Sequence, residues 1–207
     1  MNEPGIDKPA AIKGRGAVSN ASGRFESRQH TAFDDGWDYP PDESRPQTVV
    51  QADASRSILA YNESPDVPFD RSLNPYRGCE HGCVYCFARP THAYLGLSPG
   101  LDFETRLFSK PEAATLLGKA LSKPAYRCQP LALGVNTDAY QPIERKLGIT
   151  RSVLEVLQRF RHPVSIITKS ALVERDVDIL REMAQDRLVS VSVSVTTLEA
   201  EMARKLE

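Results

Sequence analysis

The chain has 207 residues, a hydrophobic fraction of 41% and a formal net charge of -1. This length allows one sizeable hydrophobic core, and the balanced charge provides no overall positive field that would attract a nucleic-acid backbone. No apolar run approaches the ~18 residues of a membrane helix, and the first residues lack the apolar region of a secretory signal. We therefore expect a cytoplasmic protein with no membrane segment, in which any contact with nucleic acid requires a local basic patch.

Residues 1–47 have the composition of a disordered tail. Gly, Ser, Pro, Asp and Arg are frequent, and the scattered apolar residues follow neither a helical nor a strand period. Such a segment buries too little apolar surface to offset the entropy lost on ordering. Phe33, Trp37 and Tyr39 interrupt this pattern, and we interpret them as part of a partly collapsed linker.

Residues 48–72 predict an irregular lead-in to the folded domain. Their few apolar positions are interrupted by Pro65 and Pro68, which disfavour regular elements. A short strand near Leu73 and a loop follow, leading directly into a group of cysteines. We expect one domain to begin at about residue 73 and to continue through residues 73–207.

Strand and helix patterns alternate after the cysteines. Pro111 with a cap at Ser109 or Lys110 predicts one helix start, and Thr150 predicts another cap. This α/β alternation with short connections is typical of a parallel sheet, in either a doubly wound or a barrel arrangement. The chain stops within a helical pattern, so we expect a fragment cut after about the fourth strand. The predicted strands are 131–136, 164–168 and 188–195, and the predicted helices are 111–121, 151–161, 177–185 and one beginning at 197.

Three of the four cysteines, Cys79, Cys83 and Cys86, form a C-x3-C-x2-C group in a loop that contains Gly78 and Gly82. In a reducing compartment, cysteines spaced this closely favour a metal centre over disulfides. Three thiolates on a cluster of four irons leave one iron without a protein ligand, and that iron can bind a substrate or cofactor. Cys128 stands alone, and we interpret it as a small buried hydrophobic residue.

Two other metal centres remain alternatives. His81 would complete a zinc site with the three cysteines, although four donors within eight residues would crowd a tetrahedron. We interpret His81 instead as a loop residue outside the ligand set. A ferredoxin-like electron carrier would need a fourth cysteine, and Cys128 has no recognisable ligand context.

Polar residues also follow the predicted strands. Residues 136–144 contain Asn, Thr, Asp, Tyr, Gln and Glu directly after the first predicted strand, at the edge where parallel sheets and barrels bind ligands. Lys169 follows the next strand. The last predicted strand carries Ser190, Ser192 and Ser194 on one face. In a barrel this face would point into the lumen, with Ser194 nearest the ligand-binding end.

The cysteine group, with the aromatic Tyr85 just before its last member, resembles the signature of the radical S-adenosylmethionine (SAM) superfamily. Residues 137–144 resemble the segment after the second barrel strand in the branch similar to spore photoproduct lyase, often labelled DNA repair photolyases. This resemblance implies a partial (β/α)6 barrel of the TIM type. It also implies a 4Fe–4S cluster whose unique iron binds SAM, and an external electron donor of the flavodoxin or ferredoxin kind. Reductive cleavage of SAM would then yield a 5′-deoxyadenosyl radical that abstracts a hydrogen atom.

The resemblance also implies roles for individual residues. Cys79, Cys83 and Cys86 would bind the cluster, and Tyr85 would lie near the adenine of SAM. Lys169 would bind the SAM carboxylate. Thr137 and Ser194 are further candidate contacts to SAM, and the side chains expected to order the pocket are those of Asp138, Gln141 and Glu144.

One position departs from the lyase pattern. Spore photoproduct lyases carry a hydrogen-donating cysteine where this chain has Val135, so repair by their mechanism is not expected. The sequence leaves the substrate and the oligomeric state open, with nucleic acid among the candidate partners. The resemblance implies a radical SAM enzyme of the lyase class. The alternative is a non-catalytic metal-binding or nucleic-acid-binding module.

Overall fold

A computed structural model describes residues 11–26 and 46–207 of the chain. It is a mixed α/β fold with two sheets and no closed barrel in this part of the chain. The eight strands are β1 (Val49–Ala52), β2 (Leu59–Tyr61), β3 (Arg71–Leu73), β4 (Tyr76–Arg77), β5 (Arg106–Ser109), β6 (Leu131–Leu133), β7 (Val164–Thr168) and β8 (Val189–Val193).

The larger sheet has the order β2-β3-β6-β7-β8. Strands β3, β6, β7 and β8 pair in parallel in the order in which they occur along the chain, and β2 is antiparallel at one edge. Strands β3 and β6 are buried along their whole length and β7 at alternate positions, as expected for the middle of a sheet that helices cover. The smaller sheet has the order β1-β5-β4, with β1 parallel and β4 antiparallel to β5.

Six α-helices and two 3-10 helices accompany the strands. Helices α2, α4 and α5 each place an apolar face in the main core, which is why they pack on the larger sheet. The α-helices are α1 (Asp102–Thr105), α2 (Ala113–Leu121), α3 (Glu144–Leu147), α4 (Ile149–Arg159), α5 (Val177–Gln185) and α6 (Ala200–Leu206), and the 3-10 helices are Arg89–Leu95 and Ala171–Asp176. No helix of the described residues has the length and apolarity needed to cross a membrane.

The predicted elements agree with the structure most closely at β7 and α5, whose bounds are the predicted ones. Two helix starts were wrong. The first predicted helix is α2, which begins at Ala113 rather than at Pro111, and Ser109 belongs to β5 instead of capping it. Thr150 does not cap α4, since the helix starts after Gly148 and the Thr150 hydroxyl donates to the Ala139 carbonyl instead, at 2.5 Å.

The irregular lead-in predicted for residues 48–72 was also wrong, because strands β1 and β2 lie within it. Each is three or four residues long and pairs at the edge of a sheet, so neither shows enough alternation to be recognised from the sequence. Pro65 and Pro68 lie in the loop between β2 and β3, outside both strands.

Residues 11–26 belong to the segment for which we predicted disorder, but in the structure they contact the domain. The Leu101 amide donates to the Ser19 carbonyl (3.1 Å), and the Asn20 side chain exchanges hydrogen bonds with Asp102. These contacts are polar, so apolar periodicity does not reveal them. The aromatic residues Phe33, Trp37 and Tyr39 lie outside the described residues.

Candidate functional site

A cavity of about 570 Å³ opens at the carboxyl ends of β6 and β7, next to the cysteine loop. Its wall is largely apolar, with Val67, Phe69, Val135 and Ile167 contributing. The structure brings all the residues predicted to bind the cluster or SAM together in this wall. They are Cys79, Cys83, Tyr85, Cys86, Thr137, Lys169 and Ser194.

The first residues of the cysteine loop are closely packed against the rest of the domain. Cys79 and Cys83 are each 8% exposed, and Cys86 is half-buried. The Cys79 amide donates to the Phe103 carbonyl at 2.9 Å. Gly78 has a φ of 75°, and a Cβ there would lie 2.7–2.9 Å from atoms of Leu107, Phe103 and His92. Only glycine fits this position, and the chain therefore turns into the cavity at Cys79.

The polar segment after β6 holds the loop from the other side. Gln141 donates from its Nε2 to the Gly78 carbonyl at 3.0 Å and accepts the Glu80 amide on its Oε1 at 3.1 Å. The Thr137 hydroxyl donates to the Tyr76 carbonyl at 2.8 Å. Gln141 therefore orders the pocket, as expected, and Thr137 both lines the cavity and fixes the strand that precedes the cysteines.

Asp138 joins the ends of two neighbouring strands. Its carboxylate accepts the Thr168 hydroxyl (2.7 Å) and the Lys169 amide (2.9 Å). His81 lies beside it, with 3.4 Å between His81 Nε2 and Asp138 Oδ2. Burial opposes ionisation of Asp138, but His81 and these donors outweigh it and lower the pKa of Asp138 below 3.8. The carboxylate is thus ionised and fixes the backbone at Lys169.

Lys169 extends from the end of β7 into the cavity. Its ammonium donates to the Tyr85 hydroxyl at 2.7 Å and to Glu207 Oε1 at 2.5 Å, and it lies 5.1 Å from the centre of the Tyr85 ring. Burial disfavours the charge, but hydrogen bonds to Glu207, Tyr85 and Cys83 prevail and raise the pKa of Lys169 above 10.5. The cavity therefore contains a fixed ammonium that already binds a carboxylate.

Ser194 and Glu144 differ in their relation to the cavity. Ser194 lines it, and its amide donates to the Thr168 carbonyl at 2.8 Å just beyond β8. Glu144, predicted to order the pocket, lies elsewhere: it is fully buried and accepts from the Thr150 amide (3.0 Å), the Arg175 guanidinium (2.7 Å) and the Tyr76 hydroxyl. It supports the strand that leads to the cysteines from behind.

Sequence analysis missed the contacts behind the cysteine loop. Arg89 donates to the Cys83 carbonyl (2.9 Å) and to the buried carboxylate of Glu104 (2.5 Å). That carboxylate also accepts the amides of Gly16 and Ala17 at 3.0–3.2 Å. The only sequence signal is an acidic residue in a short segment rich in apolar residues, and it does not distinguish Glu104 from an exposed glutamate.

The thiols have the chemistry of metal ligands, although no metal is part of the structure. All three are free, and burial raises the pKa of the Cys79 thiol to about 12 and that of Cys83 above 9.0. A cationic cluster would supply the charge that converts buried thiols to thiolates. Within residues 11–26 and 46–207 no three His, Cys, Asp or Glu side chains converge as the ligands of one metal ion would. The thiolates of an iron–sulfur cluster bind different irons and need not converge on one point.

Comparison with curated proteins finds relatives whose printed descriptions give no function. The chain is 41% identical over 151 residues to uncharacterized proteins of Mycobacterium tuberculosis and Mycobacterium bovis, an alignment that covers 72% of this chain and 44% of each relative. It is 26% identical over 135 residues to an uncharacterized protein of Methanocaldococcus jannaschii, covering 65% of this chain and 48% of that protein. The chain thus spans less than half the length of these relatives. No family model and no solved structure matches.

Proposed function

We propose that this chain is part of a radical SAM enzyme. The observation that carries the proposal is the meeting of three free cysteines with Tyr85 and Lys169 in the wall of one cavity. Lys169 is distant in the sequence from the motif that contains the cysteines and Tyr85, and the resemblance predicted it from a different segment. Their shared location supports one site rather than several unrelated features.

In this proposal Cys79, Cys83 and Cys86 hold a 4Fe–4S cluster. When bound, the cluster supplies the electron that cleaves SAM and starts abstraction of a hydrogen atom from the substrate. Lys169, whose side chain lines the cavity, binds the carboxylate of the cofactor by exchanging its ion pair with Glu207. Tyr85 shares that contact through its hydroxyl. The apolar wall excludes water from the reacting atoms.

The fold proposal follows from the order of the strands. Parallel strands β3, β6, β7 and β8 are adjacent in chain order, an arrangement that a (β/α) barrel uses and a doubly wound sheet reverses at one point. This order supports the partial (β/α)6 barrel. The exposed valines Val191, Val193 and Val195 on and beyond β8 are further support, since a following strand and helix would cover them.

Anaerobic reconstitution with iron and sulfide tests the cluster. We expect the chain to bind iron and acid-labile sulfide, and the triple variant Cys79→Ala, Cys83→Ala, Cys86→Ala to bind neither. Cys128→Ala is the matched control. Cys128 was expected to be buried, but in the structure it is an exposed free cysteine that does not line the cavity. Reduction with dithionite in the presence of SAM should yield 5′-deoxyadenosine in the control but not in the triple variant.

Two results would contradict the proposal. A chain without iron and sulfide after reconstitution has no cluster, and equal iron in the triple variant would place the cluster elsewhere. One tightly bound zinc per chain, lost in the triple variant, would establish the alternative metal-binding module.

A further inference from the structure

A second, smaller cavity of about 220 Å³ adjoins the first one. Asn136 lines both cavities, so the two share part of their wall. The small cavity is formed where β3, β4 and the end of β5 meet, and its polar lining comes from Asn74, Arg77, Thr91 and Lys110. Typical ligand cavities have about 300–1,000 Å³. This one therefore suits a single chemical group rather than a whole ligand.

The charges around the small cavity do not balance. Arg77 is paired with Asp53, with 2.7 Å between Arg77 Nε and Asp53 Oδ2. Lys110 is half-buried, and its ammonium has no ion-pair or hydrogen-bond partner among the described residues. Burial and the charge of Arg77 lower the pKa of Lys110, while Asp53 opposes them. Arg77 and Lys110 carry two positive charges and Asp53 one negative charge. The partly desolvated wall of the small cavity therefore has one positive charge in excess.

Neutral donors are available beside this charge. The side-chain oxygen Oδ1 of Asn74 accepts hydrogen bonds from the backbone amides of Asn136 (2.9 Å) and Thr137 (3.4 Å). These bonds fix the orientation of the Asn74 side chain. The NH2 groups of Asn74 and Asn136 donate no hydrogen bond within the described residues. Both NH2 groups are therefore available to donate to a ligand oxygen in the small cavity.

We propose that the small cavity binds the phosphate group of a substrate whose remaining part lies in the large cavity. Lys110 supplies the compact ammonium that binds phosphate oxygens, and the amide groups of Asn74 and Asn136 complete the donor set. The shared wall at Asn136 places the phosphate beside the large cavity. As a statement about substrate class this inference rests on the proposed function, but phosphate binding itself requires neither iron nor SAM.

Inorganic phosphate is the probe, added to the full 207-residue chain without metal. We expect phosphate to raise the melting temperature of the wild-type chain in a saturable manner. Lys110→Met keeps the length of the side chain but removes its charge, and should weaken phosphate binding by at least about tenfold. Lys123→Met is the matched control, because Lys123 is exposed and does not line the cavity. It should bind phosphate as the wild type does.

A second measurement needs no variant. An amine-reactive ester should modify Lys110 more slowly in the presence of phosphate, whereas the modification of Lys123 should not change, as read by mass spectrometry of peptides. Equal phosphate affinity in the wild type and Lys110→Met, or no protection of Lys110, would overturn the proposal. Protection by acetate but not by phosphate would also overturn it, since the ligand would then be a carboxylate. None of these outcomes depends on the cluster.

Discussion

The large sheet and the cysteine loop are held in place by different kinds of interaction. Around the sheet, one continuous cluster of buried apolar residues joins the strands to α2, α4 and α5. Around the loop, the buried apolar cluster consists only of Cys79, Ala88 and Phe103, with Cys86 packed against it. The loop is held instead by hydrogen bonds and ion pairs from residues behind it.

The difference lies in how each region responds to the loss of one group. An apolar core distributes its stabilisation over many contacts. The support behind the loop depends on single groups, because the one carboxylate of Glu104 accepts from Arg89 and from the amides of Gly16 and Ala17. We therefore expect the cysteine loop to be more sensitive to point substitutions than its few apolar contacts would indicate.

Glu104→Ala should have the largest effect. Its loss breaks the buried ion pair with Arg89 and removes the acceptor of two backbone amides, and breaking a buried ion pair costs about 3–5 kcal/mol. Unfolding in urea measures this cost. In native conditions Cys83 should also react faster with a thiol reagent, because Arg89 no longer fixes the Cys83 carbonyl.

Leu154→Ala provides the comparison from the other region. Leu154 is fully buried in the main core, and its truncation should lower the free energy of unfolding by about 2–5 kcal/mol. Thiol reactivity in native conditions should not change. If Glu104→Ala costs less than about 1 kcal/mol, or if both variants alter thiol reactivity equally, the two regions do not differ as described.

Gly78→Ala should have the next largest effect. A residue other than glycine is strained at a φ of 75°, by about 1–3 kcal/mol, and the new Cβ would also collide with the Phe103 carbonyl at 2.8 Å. Gly96→Ala is the matched control, since Gly96 has a φ of 68° but open space around it. Urea unfolding should therefore show a larger loss at Gly78 than at Gly96. If both variants lower the free energy of unfolding equally, the loop shifts to accommodate the added Cβ and the contacts at Gly78 are not restrictive.

The same difference explains what could be predicted from the sequence. Helix α5 was predicted with its observed bounds because Ile179, Leu180 and Met183 recur at helical spacing. Strand β7 was predicted with its observed bounds because a short run rich in β-branched residues follows Pro163. The cysteines, Tyr85, Thr137, Lys169 and Ser194, which line one cavity, were predicted from a motif and from strand ends. Glu104, Arg89 and Lys110 were not found. Their surroundings come from segments distant in the chain, and a buried charge has no local pattern that separates it from an exposed one.

The smallest expected effect concerns one histidine in each region. His92 packs beneath the cysteine loop and His162 beside the sheet, and burial lowers the pKa of both below 6.5 because a charged imidazole loses its hydration. The unfolded chain therefore binds more protons than the folded chain between the folded pKa values and 6.5. The contribution of the two neutral histidines to the free energy of unfolding is complete above about pH 6.5. It decreases as the pH falls, by at most about 1.4 kcal/mol per pH unit for each histidine. Urea unfolding between about pH 5 and 7.5 measures this slope. His92→Gln and His162→Gln should each reduce it and the double variant should reduce it most, whereas an unchanged slope in the double variant would assign the pH dependence to other groups.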